Sequence, residues 1–141
     1  MGTRKLTVPS DRSQLERIRK FVCEAAREFG FSEMEVNKIE LAVDEACSNV
    51  IRHAYGDDAS RSFDILVETE REEFSVVIED TGKSYDILTH KLPEMPVYLR
   101  EHRPGGLGIK LIRTLMDNVD YEPLHGRNRL TLTKRLHPRT P

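Results

Sequence analysis

The sequence predicts an α+β fold: a two-layer α/β sandwich whose mostly antiparallel sheet is covered on one face by helices. Two observations carry this expectation. The apolar periodicity runs strand, helix, helix, strand, strand, irregular segment, helix, strand, strand. Strands that follow one another directly pair as antiparallel hairpins, and the grouped helices lack the strict alternation of a doubly wound parallel sheet. A chain of 141 residues also makes one domain with a real core, so 1–141 is read as a single unit.

The elements follow in order. Arg4–Val8 reads as a short strand ended by Pro9, Ser10 and Asp11. Ser10 or Asp11 caps a helix whose apolar residues Leu15, Ile18, Val22, Ala25 and Phe29 recur three and four apart before Gly30 closes it. Ser32 and Glu35 form a capping box, and Phe31 and Val36 are spaced as a hydrophobic staple. The helix they open carries the stripe Ile39, Val43, Ala46, Val50 and Ala54 and stops at Gly56. SFDILVETE and EFSVVIED are strands turned through Arg71 and Glu72. From Thr81 to Pro104 the periodicity dissolves, and irregular segments of that length in compact domains are usually functional or mobile. GGLGIKLIRTLMDNV starts as a glycine-rich turn and continues as a helix with Ile109, Ile112 and Met116 inside. Two last strands surround a turn near His125–Asn128, and residues 137–141 form a frayed tail.

Composition narrows the function. A formal net charge of −2 and a pI near 6.2 provide no basic field for nucleic acid or anionic lipid. The N-terminus has no apolar leader and no run approaches a bilayer span, so a soluble, cytoplasmic protein is expected. Cys23 and Cys47 fall at apolar helical positions and are expected as buried, reduced thiols.

Three places stand out for chemistry. Glu45, Asn49 and His53 recur at i, i+4 and i+8 along the margin of the apolar stripe. A carboxylate and an amide one turn apart can share a ligand, the acid as a general base and the amide oxygen as a hard ligand for Mg²⁺. The plainer reading is a polar border to a core helix, and His53 suits a helix end better than a ligand role. At Asp80-Thr-Gly82 a strand ends in a carboxylate able to accept a hydrogen bond from an exocyclic amine such as that of adenine; by itself this is also an ordinary turn. Gly105, Gly106 and Gly108 open a helix with backbone N–H groups unshielded by a Cβ, suited to a polyphosphate, while Arg103 and Lys110 flank them with positive charge. A hinge with a cap is the plainer reading there, although three glycines cost helix stability that a cap does not require.

The order of the three is more specific than any one. An E-x-x-x-N helix, a strand ending in D-x-G, a long segment and G-G-L-G opening a helix resemble the N box, first glycine box, lid and second glycine box of the GHKL ATPase and kinase superfamily, which includes gyrase and histidine kinases. Within it, ELAVDEACSNVIRHAY and GGLGIKLIRTLMDNV are similar to the boxes of the bacterial anti-sigma factor serine-protein kinases, over Leu6 to Leu136. The resemblance implies the Bergerat (histidine-kinase-like ATPase) fold, ATP and Mg²⁺. It implies that Glu45 activates the attacking hydroxyl, Asn49 is the Mg²⁺ ligand, and Asp80, with Gly82 beside it, binds adenine. It further implies a phosphate-contacting turn at Gly105, Gly106, Leu107 and Gly108, a lid over 83–104, phosphate contact near Arg103, and help with adenine from Asn128 or Thr131. One departure is Ser84 where the first glycine box commonly has its second glycine, which bears on lid geometry and on whether kinase activity is retained. The implied activity is to sequester a sigma factor and to phosphorylate a serine or threonine on its antagonist, in a family where homodimers are usual. The alternative is a nucleotide-binding partner-switching module that sequesters a protein without phosphoryl transfer, with Leu41 on the polar back of the helix as an exposed contact.

Overall fold

The computed structural model describes residues 2–54, 60–81, 104–124 and 126–136, those at 53–54, 104–109 and 124 through their backbone alone. Strand β1 (Gly2–Pro9) is longer than the predicted Arg4–Val8, because it pairs along its whole length with β2 (Ser62–Glu70), from Gly2 opposite Thr69 to Pro9 opposite Ser62. Pro9 is tolerated there because β1 lies at the sheet edge. Asp11 then caps as expected, its Oδ1 accepting from the Ser13 N–H at 2.9 Å. The helix enters through a 3-10 turn, Arg12–Gln14, before α1 (Leu15–Phe29). Gly30 closes α1 at φ 113°, a left-handed conformation that favours glycine, and the Phe31 N–H reaches back to the Ala26 carbonyl.

Helix α2 (Glu33–Asn49) starts at Ser32, whose hydroxyl accepts from the Glu35 N–H. Phe31 and Val36 are both buried around that cap. The predicted end at Gly56 lies outside the described residues, but the helix changes before it: Val50–Ala54 form a π turn. β2 and β3 (Glu73–Asp80) have the predicted bounds. Arg71 supplies the left-handed residue of their turn at φ 49°. Helix α3 (Pro104–Leu115) begins at a proline, which suits the first helical position because its missing N–H would have had no partner there. β4 (Asn118–Leu124) and β5 (Arg127–Arg135) follow. Asn128, expected in the turn, is a strand residue, since β3 extends far enough to pair Asp80 with it.

All pairings are antiparallel, in the order β1-β2-β3-β5-β4. One face of the sheet packs against the helices, where Ile65, Val76, Ile78 and Leu132 meet Ile18, Val22, Ile39 and Val43, all buried. Phe29, Phe31 and Phe74 lie with ring centroids 5.6 to 5.7 Å apart and join the end of α1 and the start of α2 to the sheet. Cys23 and Cys47 are free and buried, as expected. Burial and a hydrogen bond to Glu40 push the Cys23 thiol up to about 12, so it stays protonated. Among the described residues no helix is long and apolar enough to cross a membrane.

A buried cation ties three elements together. Lys134 Nζ donates to the Leu115 carbonyl at the end of α3 (2.7 Å) and pairs with Glu35 Oε2 in the first turn of α2 (3.1 Å). Partial burial pushes the Glu35 carboxyl upward, but the Lys134 hydrogen bond and the charges of Lys134 and Lys38 outweigh it and hold it below its ordinary value. Lys134→Ala should therefore lower unfolding stability by about 1–2 kcal/mol at neutral pH: the Leu115 carbonyl loses its donor, while Glu35, a third exposed, keeps Lys38 at 3.5 Å. Because the folded-state pKa of Glu35 is depressed, the pair's contribution is present above the ordinary carboxylate range and is lost as pH falls through the folded value. Urea unfolding of both proteins checks this: the gap should narrow below about pH 4.

Candidate nucleotide site

Asn49 is the last residue of α2, at the junction with the π turn. Such turns widen the helix and leave its hydrogen-bond ladder irregular, and they are frequent at functional sites. Asn49 is only 4% exposed, and among the described residues neither its Oδ1 nor its Nδ2 has a hydrogen-bond partner. An amide buried in this way costs about 1–3 kcal/mol. The site thus fits a hard cation, for which an amide oxygen is a suitable ligand. Mg²⁺ usually takes few protein ligands and completes its shell with water and phosphate oxygens.

One turn earlier, Glu45 is half-buried. Desolvation raises its pKa above the ordinary value, the neighbouring Asp44 charge adds to this, and Arg52 opposes it. Asp44 is itself held by Arg19 of α1 at 2.9 Å. His53, the third residue of the predicted line, lies beyond the switch to π geometry, and its side chain is outside the described residues.

At the end of β3 the pleat separates two consecutive carboxylates. Glu79 turns to the face without helices, between Arg127 (3.1 Å) and Arg129 (3.7 Å). Asp80 turns to the helix face, where its Oδ1 accepts from Asn128 Nδ2 at 2.9 Å. The Tyr121 hydroxyl of β4 donates to Asn128 Oδ1 at 3.1 Å. Arg61 steadies the following residue by donating to the Thr81 carbonyl and hydroxyl at 3.1 and 3.2 Å. Of the two residues expected to assist Asp80, Asn128 is the one beside it. Thr131, opposite Val77 and Asp120, belongs to the other face of the sheet.

Gly105, Gly106, Leu107 and Gly108 all fall within the first turns of α3 rather than in a turn ahead of it. The first N–H groups of a helix have no intrahelical acceptor and carry the positive end of its dipole, so they suit an anion. Lys110 is exposed on the same helix. α3 packs along α2, which brings the glycine-bearing helix beside the one carrying Glu45 and Asn49. Gly82, Arg103, Ser84 and the rest of 82–103 lie outside the described residues, and Pro104, the last residue of the expected lid, is the first of α3.

Known proteins resemble this chain. The family model of the histidine kinase-like ATPase domain matches residues 8–134. The chain belongs to the histidine kinase-like ATPase family. Within that family it is similar to proteins named as protein kinases. It is 29% identical over 138 residues to a protein of Bacillus subtilis named serine-protein kinase RsbW, covering 94% of this chain and 85% of the relative. To the serine/threonine-protein kinase BtrW of Bordetella bronchiseptica it is 32% identical over 100 residues, 71% of this chain and 70% of the relative. The fold also matches the solved structure of the RsbU and RsbW domains of Rv1364c from Mycobacterium tuberculosis, with a TM-score of 0.69 at 16% identity over 98% of this chain and 34% of that one.

For a histidine kinase-like ATPase, sequence reasoning missed Tyr121 and Arg61. Neither belongs to a box. Tyr121 reaches Asn128 only once the β4–β5 register is known, and Arg61 meets Thr81 only because β2 and β3 pair.

The unpartnered amide leads to a separable outcome. Asn49→Ala should leave the stability of the nucleotide-free protein within about 1 kcal/mol of the parent, since an unsatisfied polar group is removed along with its small volume. The same substitution should abolish the Mg²⁺ dependence of ATP binding, which calorimetry with and without the ion would read.

Proposed function

We propose that this chain is an ATP-dependent serine/threonine-protein kinase acting as an anti-sigma regulatory factor: it holds a sigma factor and phosphorylates the antagonist that would release it. The observation that carries this reading is a half-buried acid of raised pKa one turn from an unpartnered amide, on a helix packed beside a glycine-bearing helix, in a chain related to serine-protein kinases.

Each group then has a task. Asp80 accepts the hydrogen bond from the adenine amine, and the N–H groups that open α3 hold the phosphates, with Lys110 adding positive charge nearby. Mg²⁺ held at Asn49 would offset the phosphate charge. Glu45 accepts the proton of the target hydroxyl as its oxygen bonds to the γ-phosphorus; the bond from that phosphorus to the β–γ bridging oxygen breaks, giving ADP and a phosphoserine or phosphothreonine. Sequestration needs only a surface, and Leu41, 49% exposed on α2, is an apolar contact for it.

Glu45→Gln should reduce phosphoryl transfer by about 100-fold or more while leaving ATP affinity nearly unchanged. A base must be ionised to act, so the parent rate should rise with pH through a pKa above the usual carboxylate value, and the variant should lack that limb. Labelled ATP and a co-encoded antagonist provide the assay. If no Glu45-dependent phosphoprotein forms while sigma-dependent transcription is still blocked, the chain is a sequestering module without kinase activity.

A further inference from the structure

The polar chain at the end of the sheet runs across three strands. Tyr121 of β4 donates its hydroxyl proton to Asn128 Oδ1 of β5 at 3.1 Å, and Asn128 Nδ2 donates to Asp80 Oδ1 of β3 at 2.9 Å. Asp80 and Asn128 are 8% and 6% exposed, so these bonds are not readily replaced by bulk water. An amide has one donating and one accepting end; the Asp80 carboxylate only accepts, so it takes the donating end, and the accepting end is left to the Tyr121 hydroxyl. We propose that Tyr121 is a positioning residue that makes the site select adenine over guanine, by keeping the donor end of Asn128 committed to Asp80. This rests on the reading of Asp80 as the acceptor of the base amine.

The argument is one of donors and acceptors. Adenine presents an amine donor at position 6, and guanine presents a carbonyl acceptor there. With the amide of Asn128 turned onto Asp80, the carboxylate meets the base as an acceptor: it matches adenine and repels the guanine carbonyl. A released Asn128 would offer that carbonyl a donor, while Asp80 took the neighbouring guanine N–H. The Tyr121 hydroxyl opposes that release by holding the acceptor end of the amide. It also polarises the amide, which strengthens the bond to Asp80.

The test is calorimetric binding of Mg-ATP and Mg-GTP to the full chain, with urea midpoints confirming that each variant folds. Tyr121→Phe removes one oxygen and should narrow the ratio of ATP to GTP affinity about tenfold, the worth of one hydrogen bond. In an Asn128→Ala background the same substitution should change the ratio less than about twofold, because Tyr121 acts through Asn128. Asn128→Ala alone should weaken ATP about tenfold and leave GTP nearly unchanged. A purely structural role would weaken both nucleotides in step, and that result in either variant overturns the proposal. A ratio unchanged by Tyr121→Phe but collapsed by Asp80→Asn overturns it while leaving Asp80 as the base acceptor. A ratio unchanged by Asp80→Asn as well removes the base-acceptor reading itself.

Discussion

The register between β3 and β5 is the constraint on which the site depends. At one end of this ladder Asp80 lies opposite Asn128, and at the other Phe74 lies opposite Lys134, all four on the face that meets the helices. A slip of one residue would send that whole set to the opposite face. Besides the apolar core, the outer face resists such a slip. Glu79 lies between Arg127 and Arg129, and the Ser75 and Thr133 hydroxyls bond across the strands at 3.0 Å. Two adjacent carboxylates are thus distinguished by their surroundings: one is neutralised by guanidinium groups, the other faces the site with an amide beside it.

The site at the end of α2 works against stability. Asn49 is buried with neither polar atom satisfied among the described residues, and Glu45 is partly desolvated beside Asp44. Asn49 lies where the helix leaves α geometry, and Glu45 one turn before it. The opposing terms lie at the other end of α2, where the Ser32 cap, the Phe29–Phe31–Phe74 cluster and the Glu35–Lys134 pair converge. The helix is therefore secured at its start and carries its unfavourable groups at its finish, the arrangement expected when ligand binding supplies what the fold withholds.

Most of the fold was legible because it rests on local patterning. The Ser32 and Asp11 caps, Gly30, the alternation of β2 and β3 and the apolar stripes of α1 and α2 each follow from near neighbours in the chain. The histidine kinase-like family was legible from the order of boxes, since Glu45, Asn49, Asp80 and the glycines occur at recognisable spacings. What escaped depends on pairing across the sheet. The bounds of β1, the strand position of Asn128, the choice between Asn128 and Thr131, and the reach of Tyr121 and Lys134 are consequences of register. The π turn after Asn49 also escaped, because a 3.6-residue period fitted through Val50 and Ala54 assumes the regular helix that this turn interrupts.

Lys134 has a mechanical consequence as well. It holds the Leu115 carbonyl at the last residue of α3, while the glycines occupy the first turns of the same helix. Twelve residues of helix span about 18 Å, so a tilt of roughly 10° about the held end sweeps the other by about 3 Å, the length of a hydrogen bond. The aim of the N–H groups of α3 thus depends in part on a contact at the end of the helix farthest from them.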